Sequence, residues 1–331
     1  MEEVVLETAR HNDKIDPTLG IWTWEVSVYL FLGGLTAGIM CFAALMVLMR
    51  KDEEAPFATN RLALLAPIVL SLGMTALFLD LEHKLYVFRF YTTFEVTSPM
   101  SWGSWILVAI YPISILQILS TMRAGYPALA GYAENLPLVS AVLDLSERFR
   151  RQIAFVSIPF AVALGIYTGI LLSAFSARPF WNTGVLGPLF LVSGLSTAAA
   201  LVLLAAREAA EKHLFIRIDL ALIGVELMLV FLLLINLGTG SEVQLDATSL
   251  VLGGPYTFVF WVLFVTVGLL IPAVLETWEM RGGRALVFMA PILVLFGGYV
   301  LRHVTVQAGQ LSTWTQYETQ YDPALLERLD R

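Results

Sequence analysis

The chain has 331 residues, of which 58% are hydrophobic and only 14% charged, with a formal net charge of -7. So much apolar surface beside so few charges excludes a soluble domain and leaves an integral membrane protein. One cysteine, Cys41, rules out an intrachain disulfide and any cysteine-ligated iron-sulfur cluster held by this chain alone, and no basic cluster suits nucleic acid.

A helix needs about 20 apolar residues to cross a hydrocarbon core of roughly 30 Å. Eight such runs follow one another, at 22–48, 62–81, 102–121, 153–175, 186–206, 218–237, 256–275 and 285–304. Alternating barrel patterning is absent, so an all-α fold of eight transmembrane helices is expected. The opening MEEVVLETARHNDKIDP has neither the basic start nor the cleavage site of a secretory signal, so the first span reads as an uncleaved anchor. Twelve of the 20 Lys and Arg fall in the loops after the odd-numbered spans, against Lys84, Arg89 and Arg178 in the opposite loops. That asymmetry puts the first set inside and both termini outside.

The first span opens on Trp22 and Trp24, suited to the membrane interface, with Glu25 reaching for water beside them. Gly34 and Gly38 give it a face that another helix can approach closely. At 1.5 Å per residue, Asp80 falls about 27 Å along the second span, at its outer boundary. Tyr29 lies about 10 Å below that boundary, and Tyr167 about 24 Å from the inner Arg151. Three polar side chains from three helices therefore share the outer third of the membrane. Between spans two and three, residues 77–105 add Glu82, His83, Lys84, Arg89 and Glu95 among many aromatics.

The longest inner connection, 123–152, divides the chain into two sets of four helices, 22–176 and 177–306, flanked by outer tails at 1–21 and 307–331. Its Arg148, Arg150 and Arg151 suit topology and lipid phosphate. The outer loop at 173–184 is aromatic, and the fifth span carries the small and hydroxyl residues Ser193 to Thr197. In the sixth span Asp219 and Glu226 share a helical face, with Glu226 about 13 Å beyond Arg217 and near mid-membrane. A carboxyl at that depth is either a functional group, such as a proton relay, or a protonated hydrogen-bonding partner of a neighbouring helix. Arg302 and His303 are expected at the outer edge as the last span ends.

None of the four histidines falls at mid-depth, so axial ligation of a b-type haem is not expected, and neither is a metal site. What the residues do supply is an amphipathic pocket with Trp24, Tyr29, Trp102, Tyr167 and Trp181 as walls and Asp80, Glu82 and His83 beside it. A quinone head group asks for such a place, because its carbonyls need hydrogen-bond donors and its ring and tail need apolar cover. The outer-edge aromatics equally suit an ordinary interfacial belt. A proton or ion conduit through Asp219 and Glu226, or a passive membrane anchor, would fit the same helices.

The strings Thr97-Ser-Pro-Met-Ser-Trp-Gly-Ser-Trp105, Ala177-Arg-Pro-Phe-Trp-Asn-Thr183, Phe190-Leu-Val-Ser-Gly-Leu-Ser-Thr197, and Leu301-Arg302 followed by Ala308-Gly-Gln310 resemble the NrfD-type family, membrane subunits of polysulfide reductase and related respiratory complexes. The resemblance implies two four-helix bundles in a bacterial inner membrane and a quinone, menaquinone or ubiquinone, held near the outer, periplasmic face. It also implies partners, a four-cluster iron-sulfur subunit and a catalytic subunit with molybdopterin or another centre, with no haem or cluster in this chain. Tyr167 matches the family tyrosine that bonds the quinone, and Asp80 the acid implicated in proton transfer. Tyr29 stands where polysulfide reductase has a histidine, Val26 where it has an asparagine, and Arg217 near an inner arginine of the family. The candidate quinone contacts are thus Tyr29, Tyr167, Trp24, Trp102 and Ser98, the candidate proton-transfer groups Asp80, Glu82 and His83, and the candidate proton-path groups Asp219, Glu226 and Arg217.

Overall fold

A computed structural model describes residues 20–282 and 288–313. Among these residues eight helices are long and apolar enough to cross a membrane. In chain order they are α1 (Trp24–Leu48), α2 (Leu62–Asp80), α3 (Pro99–Gly125), α4 (Arg150–Ser173), α5 (Leu186–Ala205), α6 (Ala209–Gly238), α7 (Val259–Met280) and α8 (Met289–Leu311). No strand forms among the described residues. The acidic stretch before Gly20 and the tail beyond Thr313, with His11, Arg10, Lys14, Arg328 and Arg331, lie outside them, as does Arg284.

α1 is the hub, packing against α2, α4, α5 and α8. Lipid tails are as apolar as the side chains they compete with, so close backbone approach rather than the hydrophobic effect must hold helices together. The glycine face of α1 provides it. A Cβ built on Gly38 would sit 2.3 Å from the Gly194 carbonyl oxygen of α5, and one on Gly194 would sit 2.5 Å from that of Gly34. The same device recurs where Gly268 of α7 meets Gly297 of α8, with an added Cβ only 2.5 Å from the opposing Cα. α4 packs on both α1 and α3, and α5 on α4, α6 and α8.

α7 begins with π-helical turns over Val259–Leu270 and turns α-helical over Ile271–Met280. At the end of the bundle where α1 meets the short helix Pro56–Asn60, Glu211 of α6 accepts the Phe57 and Ala58 backbone N–H groups at 3.3 and 2.7 Å. It thereby satisfies the unpaired donors that begin the short helix Pro56–Asn60. Arg123 gathers Glu134, Asp144 and Glu147 from the inner connection, each within 2.8 Å, and Arg150 pairs with Asp52 at 2.7 Å. Arg148 and Arg151 stay exposed beside Leu48, Phe155 and Val156.

The last span differs from the sequence expectation. α8 continues to Leu311, and Arg302 is fully buried within it instead of lying at the outer edge. The helix passes through a guanidinium because each of its terminal nitrogens finds an acceptor. Arg302 Nη1 donates to Ser193 Oγ and to the Gly298 carbonyl at 3.0 Å, Nη2 donates to the Phe190 carbonyl at 2.8 Å, and the group lies 5.0 Å from the Phe190 ring centre.

Candidate functional site

The four helices α1 to α4 surround a cavity of about 430 Å³ near the start of α1 and α3 and the end of α2 and α4. α1 contributes Val26, Tyr29 and Leu30; α2 contributes Met74, Thr75, Phe78 and Asp80; α3 contributes Met100, Ser104 and Leu107; α4 contributes Tyr167, Leu171 and Leu172. Trp22 closes one side, and Val87, Phe90 and Tyr91 from the outer loop lie across the top. The walls are apolar, and the polar residues among them are few: Tyr29, Tyr91, Tyr167, Asp80, and Ser104 and Thr75, whose hydroxyls bond carbonyls of their own helices.

Tyr29 and Tyr167 are both buried, at 4% and 7% exposure, and their hydroxyls interact with each other. A glycine makes this arrangement possible. A Cβ on Gly103 of α3 would stand 1.9 Å from Tyr167 Cζ and 2.3 Å from its hydroxyl oxygen, so the ring fills the place a side chain would occupy. Asp80 is half-buried at the rim, and Glu25 is near enough to act on it electrostatically. Tyr91, in the loop helix Arg89–Thr92, also lines the cavity, and burial first, then Tyr111, pushes its hydroxyl above the usual tyrosine range.

The Ser-Pro-x-x-Trp-Gly-x-Trp string accounts for much of this local order. Pro99 opens α3, where a missing N–H costs no helical hydrogen bond. Trp102 Nε1 donates to the Val96 carbonyl at 2.6 Å and Trp105 Nε1 to that of Thr93 at 3.4 Å. Ser101 Oγ accepts the Glu95 N–H at 2.9 Å and donates to the Thr93 carbonyl at 3.3 Å. Three side chains at the start of one helix thus hold the preceding loop over the cavity, and Gly103 admits the tyrosine.

Of the residues singled out from the sequence, Tyr29, Tyr167 and Asp80 come together on the cavity wall. Trp24, Trp102, Ser98, Glu82 and His83 do not line it. Trp24 is 52% exposed, Trp102 faces its own loop, Ser98 precedes the first turn of α3, and Glu82 and His83 are exposed above the rim. Trp22 takes the wall position that Trp24 was expected to fill. It lies just before α1, where helical periodicity gives no guidance, and Gln310 of α8 fixes it by accepting its N–H at 2.8 Å and donating to its carbonyl at 2.7 Å. Trp181 is buried behind Trp22, stacked at 5.3 Å and donating to the Thr305 carbonyl at 2.7 Å, so it braces the wall without forming it.

A second polar group lies away from the cavity. Asp219 and Glu226 of α6 are both fully buried, on the shared face their spacing predicts. Asp219 accepts Ser196 Oγ of α5 at 2.6 Å, and Glu226 lies with Ser193 and Arg302. Glu276 of α7 joins Asp219 and is itself 1% exposed. No sequence signal marks Glu276, because it falls one residue past the apolar run and reads as an ordinary span-end charge. Arg217 is exposed and stands outside the group.

Eight helices long and apolar enough to cross a membrane, among the described residues, make this a multi-pass membrane protein. Its family can be stated as well: the chain belongs to the one described as Polysulphide reductase, NrfD, whose model matches residues 9–313. It is 30% identical over 306 residues to Protein NrfD of Escherichia coli, covering 88% of this chain and 96% of that one. It is 28% identical over 304 residues to one of the chains of polysulfide reductase from Wolinella succinogenes, covering 88% and 94%. A subunit of selenate reductase from Mesobacillus selenatarsenatis is 25% identical over 325 residues, 87% of this chain and 72% of that protein.

Proposed function

We propose that this chain is the quinone-reactive membrane subunit of a bacterial respiratory reductase complex, seated in the inner membrane as two four-helix bundles with both termini periplasmic. The observation that carries the reading is the cavity under the outer loop, where two buried tyrosines and one rim carboxyl are the chief polar groups in an apolar space of about 430 Å³. The residues fit a quinone head group in donor chemistry and in apolar cover. Relatives named as components of polysulfide and selenate reductases support a place in a multi-subunit complex. The partners inferred are a periplasmic four-cluster iron-sulfur subunit docked on the exposed aromatic loop and a catalytic subunit beyond it. Arg148 and Arg151 face lipid phosphate on the opposite side.

When bound, a quinone takes up two electrons and two protons to become quinol, or returns them. This chain's part is to hold and to move protons. Tyr29 and Tyr167 would hold the head-group oxygens, one of them turning its O–H from the other tyrosine to the ligand, and so fix its orientation. Asp80, half-buried at the rim, passes protons between the cavity and the outside, where Glu82 and His83 stand in water. Tyr167→Phe is expected to weaken quinone binding about tenfold. Asp80→Asn should slow quinone-linked turnover by about 100-fold or more while leaving binding nearly intact. Purified complex that yields no extractable quinone, with both variants at wild-type activity, would refute the assignment.

A second reading concerns the polar seam. Buried carboxyls at Asp219, Glu226 and Glu276, bridged by Ser196, Ser193 and Arg302, suit a proton path through the second bundle. Complex reconstituted in liposomes should then change lumenal pH on quinone turnover, and Glu226→Gln should abolish that change. An unaltered pH signal in the variant would assign the seam to structure alone.

A further inference from the structure

The cavity walls are not equally closed. α1 packs extensively on α2 and on α4, and α4 on α3, so three of the four helix seams around the space are sealed. The fourth seam, between α2 and α3, behaves differently along its length. At the inner end the two segments are locked: a Cβ on Gly125 would stand 2.0 Å from the Asn60 carbonyl oxygen, and Arg61 Nε donates to the Gly125 carbonyl at 3.1 Å. Midway, Ser71 Oγ and the Tyr111 hydroxyl share a hydrogen bond at 3.1 Å. One helical turn further out, Thr75 of α2 and Leu107 of α3 both border the cavity, and Phe78 and Met100 follow above them. Thr75, Phe78 and Met100 line the cavity and are exposed, and α2 and α3 touch each other far less than the other neighbouring pairs around the space. The cavity is therefore most thinly walled at this seam, which at this depth faces lipid.

We infer that the cleft between α2 and α3 above the Ser71–Tyr111 bond is the lateral portal through which a quinone's isoprenoid tail leaves the cavity for the bilayer. The inference rests on the quinone reading and adds the route. A tail of many apolar units cannot stay in a space of about 430 Å³ with its head group, nor can it leave through the charged outer loop without exposing itself to water. The α2–α3 cleft gives it an apolar way out at the depth of the acyl chains. The Ser71–Tyr111 bond sets the floor, so the tail departs sideways and does not slide between the helices towards the inner face.

The test compares a long-tailed quinone with a tail-free analogue of the same head group, on the complete complex in nanodiscs. Thr75→Trp fills the cleft, and the ratio of KM for the long-tailed to the tail-free quinone should rise about tenfold or more over wild type. A second measurement needs no bulky residue. In Thr75→Cys, a lipid-soluble maleimide should label the new thiol, since the native Cys41 is buried. The long-tailed quinone should then protect the thiol at position 75 and the tail-free one should not. An unchanged KM ratio, or equal protection by the two quinones, overturns the portal. Failure of the wild-type complex to bind either quinone overturns the quinone reading itself, and the portal falls with it.

Discussion

Substituting Gly103 by Ala tests how the cavity is built. The added methyl would lie 1.9 Å from Tyr167 Cζ, and ordinary contact begins at 3.4 Å, so ring or helix must give way by 3.4 − 1.9 = 1.5 Å. Tyr167 cannot yield freely, because α3 and α4 pack along their lengths and Tyr29 lies against it. Overpacking of this kind costs about 1–3 kcal/mol of stability. Displacing a positioning group by about 1 Å is enough for roughly 100-fold in rate. Thermal unfolding of the purified subunit in detergent and quinol-linked turnover of the complex measure the two effects. Gly131→Ala is the control, since nothing lies within 4 Å of that position and alanine favours its exposed helix. Wild-type turnover in Gly103→Ala, with the complex intact, would mean that Tyr167 need not be where the structure holds it.

Other substitutions probe the helix contacts. Gly194→Ala should cost about 1–3 kcal/mol by forcing α5 from the Gly34 carbonyl, whereas Gly33→Ala, with nothing within 4 Å, should not lower the melting temperature. Arg302→Met should cost about 3–5 kcal/mol, because it strands Glu226 and removes the donors to Ser193 and two carbonyls. Adding Glu226→Gln to Arg302→Met should restore part of that loss in the same unfolding assay, and strict additivity would show that the two groups are not coupled.

The eight spans were legible because an apolar run of about 20 residues has hardly any use except to cross a bilayer. The common depth of Tyr29, Tyr167 and Asp80 was legible too, since helix rise converts sequence offset into depth, while the family likeness singled out Tyr167 and Asp80 among the polar residues there. What failed to show was lateral contact. Trp22 and Trp24 are equivalent as interfacial aromatics, and only Gln310, on the last helix, selects Trp22 for the wall. Arg302 looked like a span end because a buried guanidinium is costly, and its acceptors, the Phe190 and Gly298 carbonyls, carry no side-chain signature. The role of Gly103 is likewise invisible until the ring of Tyr167, distant in sequence, is seen to occupy its missing side chain.

The clasp between Trp22 and Gln310, with Gln307 Nε2 also donating to the Trp22 carbonyl at 3.2 Å, has a consequence for biogenesis. The ribosome makes α1 well before α8, yet α8 secures the residue that closes the cavity beside α1. A partly synthesised polypeptide already resident in the bilayer therefore has tyrosines and carboxyl in place but one wall unfastened. Insertion of α8 is the step that closes the chamber, so assembly intermediates remain unfinished at that wall until that helix arrives.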